Sequence, residues 1–255
     1  MHQFGAAEKR MKINEKMKNS YLILLVFIFI GCKNENRLDN QKPFTKTNKI
    51  EKGHKTELEE HFIDSTKIGI SGKYKIDLKK IRCKDSVYVE IKMFRKQHSK
   101  WNFIQSLEFL KDGVLSCDPE ITDFNNDGLN DLTFQSSIAG RGANTIRKLL
   151  IFEKESGKLK FIKNSENFPN IRYNKELNCI DAFRVYFGSQ TAFAKIENDT
   201  LREFANVEIY EDTIKVRIID KRGKEKLLKI EKYEKGYFHR FKNYKPLIED
   251  EEYNK

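Results

Sequence analysis

Short segments of alternating apolar and polar residues, separated by turn residues, run through most of the chain after residue 65. Tyr74–Leu78 and Val87–Phe94 alternate with the period of two that half-buried strands show. No long helical period is present. The pattern predicts an all-β fold over residues 66–246, an antiparallel meander that is either propeller-like or a sandwich. Further strands are predicted at 101–110, 132–136, 149–152, 159–162, 182–187, 191–196, 207–210, 213–219, 227–230 and 237–241.

The N-terminal segment is typical of an export signal. Five basic residues precede the apolar run 21–30, and Gly31 and Cys32 follow it directly. The sequence Phe29-Ile30-Gly31-Cys32 resembles a bacterial lipobox, with Phe29 in place of the usual Leu. We therefore expect residues 1–31 to be a lipoprotein signal peptide and Cys32 to carry the lipid. The alternative interpretation is a buried hydrophobic strand, and Met17 is an alternative start.

Polar segments flank the predicted β domain. Residues 32–65 are rich in Asn, Lys, Gln, Thr and Glu and are interpreted as a tether, with a possible helix near 56–62. Residues 247–255 are predicted to be an acidic and polar tail. The expected location is the cell envelope, with the domain held to a membrane by lipid on the periplasmic or surface side.

The charge balance excludes few functions. The formal charge is +11, and residues 1–31 carry five basic and two acidic residues, so the mature chain would carry 11 − 3 = +8. These charges are mixed along the chain without a clustered basic motif, so nucleic acid is not an expected partner. Cys83, Cys117 and Cys179 form no CxxC motif, which disfavours zinc, and their disulfide pairing stays open.

The most specific motif is the nine-residue segment 123–131, which reads D-x-N-x-D-G-x-x-D. Oxygen donors at positions 1, 3 and 5, with Gly128 at position 6, are the pattern of a calcium loop. Position 12 is Phe134 in place of the bidentate Glu of an EF-hand, so we expect weak binding on the order of 10⁻⁴–10⁻³ M. The alternative is a metal-free Asn126-Asp127-Gly128 turn. The expected calcium ligands are Asp123, Asn125, Asp127, Leu129 through its carbonyl, and Asp131.

The segment from 115 to 200 resembles the FG-GAP/VCBS type of exported β protein. The likeness rests on the loop at 123–132, the Gly-rich connection 140–144, and the strands 149–152 and 158–161 that follow. It is similar to periplasmic lipoproteins with one calcium loop in a propeller-like domain, among them immunity proteins that inhibit peptidoglycan-hydrolase toxins. The resemblance implies an exported calcium-binding lipoprotein and an inhibitory role.

Two function classes follow, and neither is enzymatic. No histidine has ligand or triad spacing, and Glu120 next to the loop is expected to be a solvated carboxylate. The first class is a binding module that inhibits a cell-wall hydrolase, with Arg141 pairing with the carboxylates of the partner. The second is a structural or accessory envelope lipoprotein without inhibitory activity. The expected partner-binding loop contains Gly140, Arg141, Gly142 and Asn144.

Overall fold

The structure is a computed structural model that describes residues 56–250. Within this range the chain forms sixteen strands and two single-turn 3-10 helices, at Gly140–Gly142 and Ser165–Asn167. The predicted signal peptide, Cys32 and most of the tether lie outside the described residues. The strands are β1 Thr56–Asp64, β2 Tyr74–Cys83, β3 Ser86–Gln97, β4 Lys100–Lys111, β5 Glu120–Thr122, β6 Asp131–Ala139, β7 Asn144–Glu153, β8 Lys158–Phe161, β9 Arg172–Asn174, β10 Cys179–Val185, β11 Ser189–Glu197, β12 Thr200–Tyr210, β13 Thr213–Ile219, β14 Glu225–Lys232, β15 Phe241–Tyr244 and β16 Leu247–Glu249.

The strands form four antiparallel sheets in which neighbours along the chain are also neighbours in space. The first sheet contains β1–β4 and the second contains β5–β8. The third contains β9–β14, and β15 and β16 form a C-terminal hairpin. Each strand order is linear, so none of these sheets closes into a barrel. The prediction of an all-β antiparallel meander is confirmed.

The second sheet lies between the other two large sheets. Its residues Leu150 and Phe152 pack with Ile76, Leu78 and other side chains of the first sheet. Because successive residues of a strand point to opposite faces, the neighbouring β7 residues face the other way. Leu149 and Ile151 accordingly pack in a second cluster with Ile180, Ala192 and other side chains of the third sheet.

A third hydrophobic cluster covers the far face of the third sheet. Phe193, Val207 and Ile214 pack there with Phe241 of the C-terminal hairpin. All three clusters lie within the compact unit Lys49–Lys255. This unit therefore contains a complete hydrophobic core, as an independently folding domain requires.

Both ends of the β domain differ from the sequence prediction. Thr56–Asp64 is a strand that pairs with β2, so the interpretation of this segment as tether or helix is wrong. Leu247–Glu249, assigned to the tail, pairs with β15. The predicted strand at 237–241 is also wrong, because Tyr237 and Phe238 are exposed and only Phe241 enters the core.

The described cysteines are free thiols. Cys117 and Cys179 are buried and Cys83 is half-buried. Burial raises the pKa of Cys117 and that of Cys179 to about 12, because the thiolate form loses its solvation. Both buried thiols are therefore protonated at neutral pH. Within residues 56–250, no helix is long and apolar enough to cross a membrane.

Candidate calcium loop and partner-binding tip

The predicted calcium loop connects β5 to β6 in the second sheet. It turns at two residues of left-handed backbone conformation, Asn126 with φ 59° and Gly128 with φ 81°. Asn tolerates this conformation better than most residues, and Gly adopts it without steric cost. The turn at position 6 of the motif is the one that a calcium loop requires.

Asp123 organises the loop through its carboxylate. Its Oδ1 accepts main-chain N–H groups of Asn125, Asn126 and Asp127 at 3.2, 2.6 and 3.3 Å. Its Oδ2 accepts the N–H of Gly128 at 2.9 Å. These bonds bring the following residues back around the first carboxylate of the motif.

Asn125 and Asp127 are linked to each other within the loop. The Asn125 Nδ2 donates to Asp127 Oδ2 at 2.9 Å, and the Asp127 N–H donates to Asn125 Oδ1 at 3.2 Å. The Asp127 Oδ1 accepts the N–H of Leu129 at 2.8 Å. Asp127 and Asn126 are exposed, whereas Asp123, Asn125 and Leu129 are half-buried. The structure thus brings the predicted ligands into one short loop.

Asp131, the last acidic residue of the motif, is fully buried as the first residue of β6. Its Oδ2 accepts the N–H of Phe124 and its Oδ1 accepts the N–H of Phe152, both at 2.8 Å. Burial raises the pKa of Asp131 to about 7, with a further increase from the charges of Asp127 and Asp123; the two N–H donors oppose this shift.

The donor chemistry of the loop fits calcium. Every candidate ligand atom is an oxygen, as hard cations prefer, and no sulfur or imidazole nitrogen is involved. Within residues 56–250, no group of three or more His, Cys, Asp or Glu side chains is arranged to hold a metal ion on its own. A calcium site here therefore needs the neutral oxygens of Asn125 and Leu129 together with the carboxylates. Phe134 is fully buried in the first hydrophobic cluster and supplies no ligand.

The predicted partner-binding loop forms the tip of the β6–β7 hairpin. Gly140, Arg141 and Gly142 are exposed, and Arg141 has φ 57°. Asn144 differs from the other three because its side chain is buried. Its Nδ2 donates to the carbonyl of Val185 at 2.7 Å, and its Oδ1 accepts the Val185 N–H at 2.8 Å. Asn144 fastens the tip to β10, whereas Arg141 remains available at the surface.

A second hairpin tip, which sequence reasoning missed, follows Val185 between β10 and β11. Phe187 at this tip is 93% exposed. The Tyr186 hydroxyl donates to Glu208 at 2.8 Å. A Cβ atom on Gly188 would lie 2.1 Å from the Ile209 carbonyl oxygen, so only glycine fits. The sequence pattern predicts a strand that includes Phe187, although the following Gly188 is a turn signal.

Other candidate catalytic groups have structural partners. The Glu120 carboxylate lies 3.3 Å from Arg147 Nη1, although Glu120 is more than half exposed. His61 Nε2 lies 2.9 Å from Asp77 Oδ1 on the first sheet. Neither contact places a nucleophile beside a base, so these groups indicate surface ion pairing.

No family model and no curated protein matches the chain. A solved structure titled "Structure of a Xanthomonas Type IV Secretion System related protein" is 15% identical and matches with a TM-score of 0.43. The match covers 68% of this chain and 96% of that chain. A likeness of this size carries no argument about function.

Proposed function

We propose that this protein is a calcium-stabilised binding module of the cell envelope, anchored by lipid at Cys32. The observation that carries the proposal is the geometry of segment 123–131. Its left-handed turns and its Asp123-centred hydrogen bonds gather oxygen donors from alternate residues. This donor set is the one that a calcium loop uses.

The ion would have a structural role. The loop joins two strands of the second sheet, and Asp131 at its end is bonded to the main chain of Phe124 and Phe152. Each carboxylate oxygen of Asp131 has a lone pair left after these bonds, since a carboxylate offers about four acceptor sites. A cation in the loop, held by its carboxylates together with the oxygens of Asn125 and Leu129, would offset the repulsion that Asp123 and Asp127 exert on Asp131.

Calcium-dependent stability tests the metal assignment. We expect calcium at about ten times its dissociation constant to stabilise the fold by roughly 1.4 kcal/mol. For a domain of this size that raises Tm by about 3–6 °C. Asp127→Asn should abolish the increase, because it removes one ligand charge and keeps an acceptor for the Leu129 N–H. Asn126→Gly is the matched control, since it changes the same turn without removing a predicted ligand. Identical melting with calcium and with chelator would overturn the assignment.

The binding surface is assigned to the exposed tip around Arg141. Asn144 holds this tip against Val185, and the Asn170 Nδ2 donates to the carbonyl oxygens of Ala143 and Phe183 at 2.9 and 2.8 Å. Within residues 56–250, Arg141 forms no ion pair with a carboxylate. An exposed guanidinium on an anchored turn, without an internal carboxylate partner, is suited to bidentate pairing with carboxylates of another protein.

Peptidoglycan hydrolases are the proposed partners, on the basis of the family resemblance and of the acidic catalytic residues that such enzymes carry. The unit 49–255 is to be mixed with hydrolases of neutral or acidic surface in a cell-wall lysis assay. We expect Arg141→Ala to weaken inhibition by at least about tenfold. Arg222→Ala is the matched control, because Arg222 lies at another hairpin turn with its side chain 91% exposed.

The alternative, a structural envelope lipoprotein, is distinguished by the same pair of measurements. It predicts calcium-dependent melting without inhibition and without capture of any hydrolase. Inhibition that is equally strong in the Arg141→Ala variant would show that another surface binds the enzyme.

A further inference from the structure

The outward face of the first sheet carries a cluster of aromatic and lysine side chains. Lys75 on β2 is directly opposite Phe94 on β3, which is opposite Phe103 on β4. Trp101 is opposite Lys96 in the same hairpin. The intervening residues Ile76 and Met93 point into the core, so this cluster lies on the other face. We call it the aromatic–lysine patch, and it contains Lys75, Phe94, Lys96, Trp101 and Phe103.

The lysines of the patch lie over aromatic rings. Lys75 Nζ is 4.3 Å from the centroid of Phe94 and 5.4 Å from that of Trp101. Lys96 Nζ is 5.6 Å from the centroid of Trp101. Phe94 and Phe103 form an edge-to-face pair with centroids 6.0 Å apart. These cation–π and ring contacts hold the patch together.

The patch differs in charge from the rest of the same sheet face. Lys92 pairs with Glu90 at 3.0 Å, and Lys79 lies 3.9 Å from Asp77. Within the described chain, by contrast, neither Lys75 nor Lys96 has a carboxylate partner. Uncompensated positive charge on this face is therefore concentrated beside the aromatic rings.

The apolar part of the patch is open to solvent. Phe103 is 58% exposed, and Trp101 is half-buried. The adjoining turn has left-handed conformations at both His98 and Ser99, with φ 46° and 66°. Such a turn normally contains Asn-Gly, so two side-chain-bearing residues there retain local strain. The hairpin end thus presents rings and ammonium groups on a constrained turn.

We propose that the aromatic–lysine patch docks on the anionic surface of a lipid bilayer. Aromatic rings favour the level of the lipid headgroups, and lysines extend their ammonium groups to phosphate while their stems cover apolar surface. The positive charge without acidic partners complements the negative charge of anionic lipids. The inference rests on the proposed envelope location, and it would orient the domain on the membrane to which the lipid tethers it.

The single tryptophan of the chain makes the test specific, because Trp101 lies in the patch. The unit 49–255 contains all three hydrophobic clusters and omits the apolar run 21–30, which would itself bind lipid. It is to be titrated with vesicles of phosphatidylglycerol and phosphatidylcholine, and separately with phosphatidylcholine alone. We expect a blue shift of Trp101 fluorescence and co-sedimentation with the anionic vesicles only. Both signals should weaken as salt is raised.

Three variants assign the binding to the patch. Lys75→Gln with Lys96→Gln should weaken binding by at least about tenfold. Phe103→Ser should reduce the blue shift and leave Tm nearly unchanged, because Phe103 is largely exposed. Lys224→Gln with Lys226→Gln is the matched control, since it removes the same charge from exposed positions at and just before β14.

Several outcomes would overturn the proposal. They are the absence of a shift with anionic vesicles, equal binding to neutral vesicles, and an equal loss in the control pair on the β14 hairpin. An equal shift with soluble polyglutamate would assign the patch to an acidic polypeptide instead. None of these outcomes alters the calcium-dependent melting or the inhibition assay, so failure of this inference is distinct from failure of the proposed function.

Discussion

Two fully buried aspartates show two ways of holding a carboxylate inside this protein. Asp181 on β10 and Asp131 on β6 are both 0% exposed. Asp181 is paired with two arginines of the same chain: Arg240 Nε donates to Oδ1 at 2.6 Å, and Arg172 Nε lies 3.3 Å from the same oxygen. Asp131 accepts main-chain N–H groups, and the charges that raise its pKa are acidic, those of Asp127 and Asp123.

The difference explains why one cluster is a structural network and the other a candidate metal centre. Two arginines neutralise the charge of Asp181 inside the fold. Arg240, which directly precedes β15, donates to Asp181 on β10 and so links the C-terminal hairpin to the third sheet, and it also donates to the carbonyl of Asn170. The carboxylate of Asp131, by contrast, is stabilised by the dipoles of two main-chain N–H groups and by no cationic side chain among residues 56–250. An external cation would supply what the two arginines supply at Asp181.

The largest expected effect is at Asp181. Asp181→Ala would leave Arg240 buried without its charge partner, and we expect a loss of roughly 3–5 kcal/mol in the free energy of unfolding. Urea denaturation followed by circular dichroism measures it, in chelator and in calcium. The loss should be the same in both solutions. A loss that calcium restores would contradict the view that this carboxylate is satisfied internally.

Asp131→Asn is expected to have the next largest effect. An amide has only one acceptor oxygen, so either the Phe124 or the Phe152 N–H would lose its bond. A buried unsatisfied donor costs about 1–3 kcal/mol, to be measured by urea denaturation in chelator. In calcium the gap between variant and wild type should widen, because only the wild type retains this ligand. A constant gap would separate Asp131 from any metal site.

Asp64 tests main-chain solvation of a carboxylate at a half-buried position. Burial alone would raise the pKa of Asp64, but hydrogen bonds from the N–H groups of Ile68, Lys67 and Thr66 lower it below its ordinary value. We expect Asp64→Ala to cost about 1 kcal/mol at neutral pH. Because the folded pKa is depressed, this contribution is complete above the unfolded value near 4 and is lost as pH falls below it. When unfolding is measured from about pH 7 down to pH 3, the difference in unfolding free energy between wild type and Asp64→Ala should become smaller. A difference that does not change with pH would contradict this prediction.

The smallest expected effect is the loss of a surface ion pair, that between Arg202 and Glu197. Arg202 Nε lies 2.7 Å from Glu197 Oε1, with the side chains 26% and 44% exposed. Arg202→Ala should cost at most about 1 kcal/mol, and high salt should reduce that cost further. The same urea titration used for Asp181→Ala measures it. Equal costs at Arg202 and Asp181 would show that burial is not the source of the difference.

Strands with strict alternation were predictable, and strands that depend on their neighbours were not. β2 and β3 bury every second residue, which is the period that sequence reasoning detects. β1 is polar and largely exposed, so its composition gives no strand signal. It is a strand because it pairs with β2. Asp112-Gly113 and Arg222-Gly223 both have the composition of a hairpin turn. Arg222-Gly223 does lie in the β13–β14 turn, whereas Asp112-Gly113 leads into an irregular segment between β4 and β5.

Of the candidate calcium site, the sequence predicts only the contacts made within the loop itself. The order of oxygen-bearing residues located the loop, because all of its donors except Asp131 interact within a few residues. Asp131 also accepts the N–H of Phe152 in β7, a partner that no spacing rule connects to it. In the same way, the exposure of Phe187 depends on β12, where Ile209 and Glu208 fix the neighbouring turn.

The position of β7 between two hydrophobic clusters determines how the protein unfolds and where its sequence can vary. Neither cluster can open without exposing a face of the same strand, so both are expected to unfold together, and β7 amides should be among the slowest to exchange with deuterium. Substitutions along β7 are correspondingly constrained. At the exposed end of the β6–β7 hairpin, Arg141 has no ion-pair partner within residues 56–250, so its side chain can change at little cost to the fold, whereas Asn144 ties this end to Val185. A rigid middle layer therefore leaves the exposed Arg141 side chain, at the proposed partner-binding tip, free to diversify.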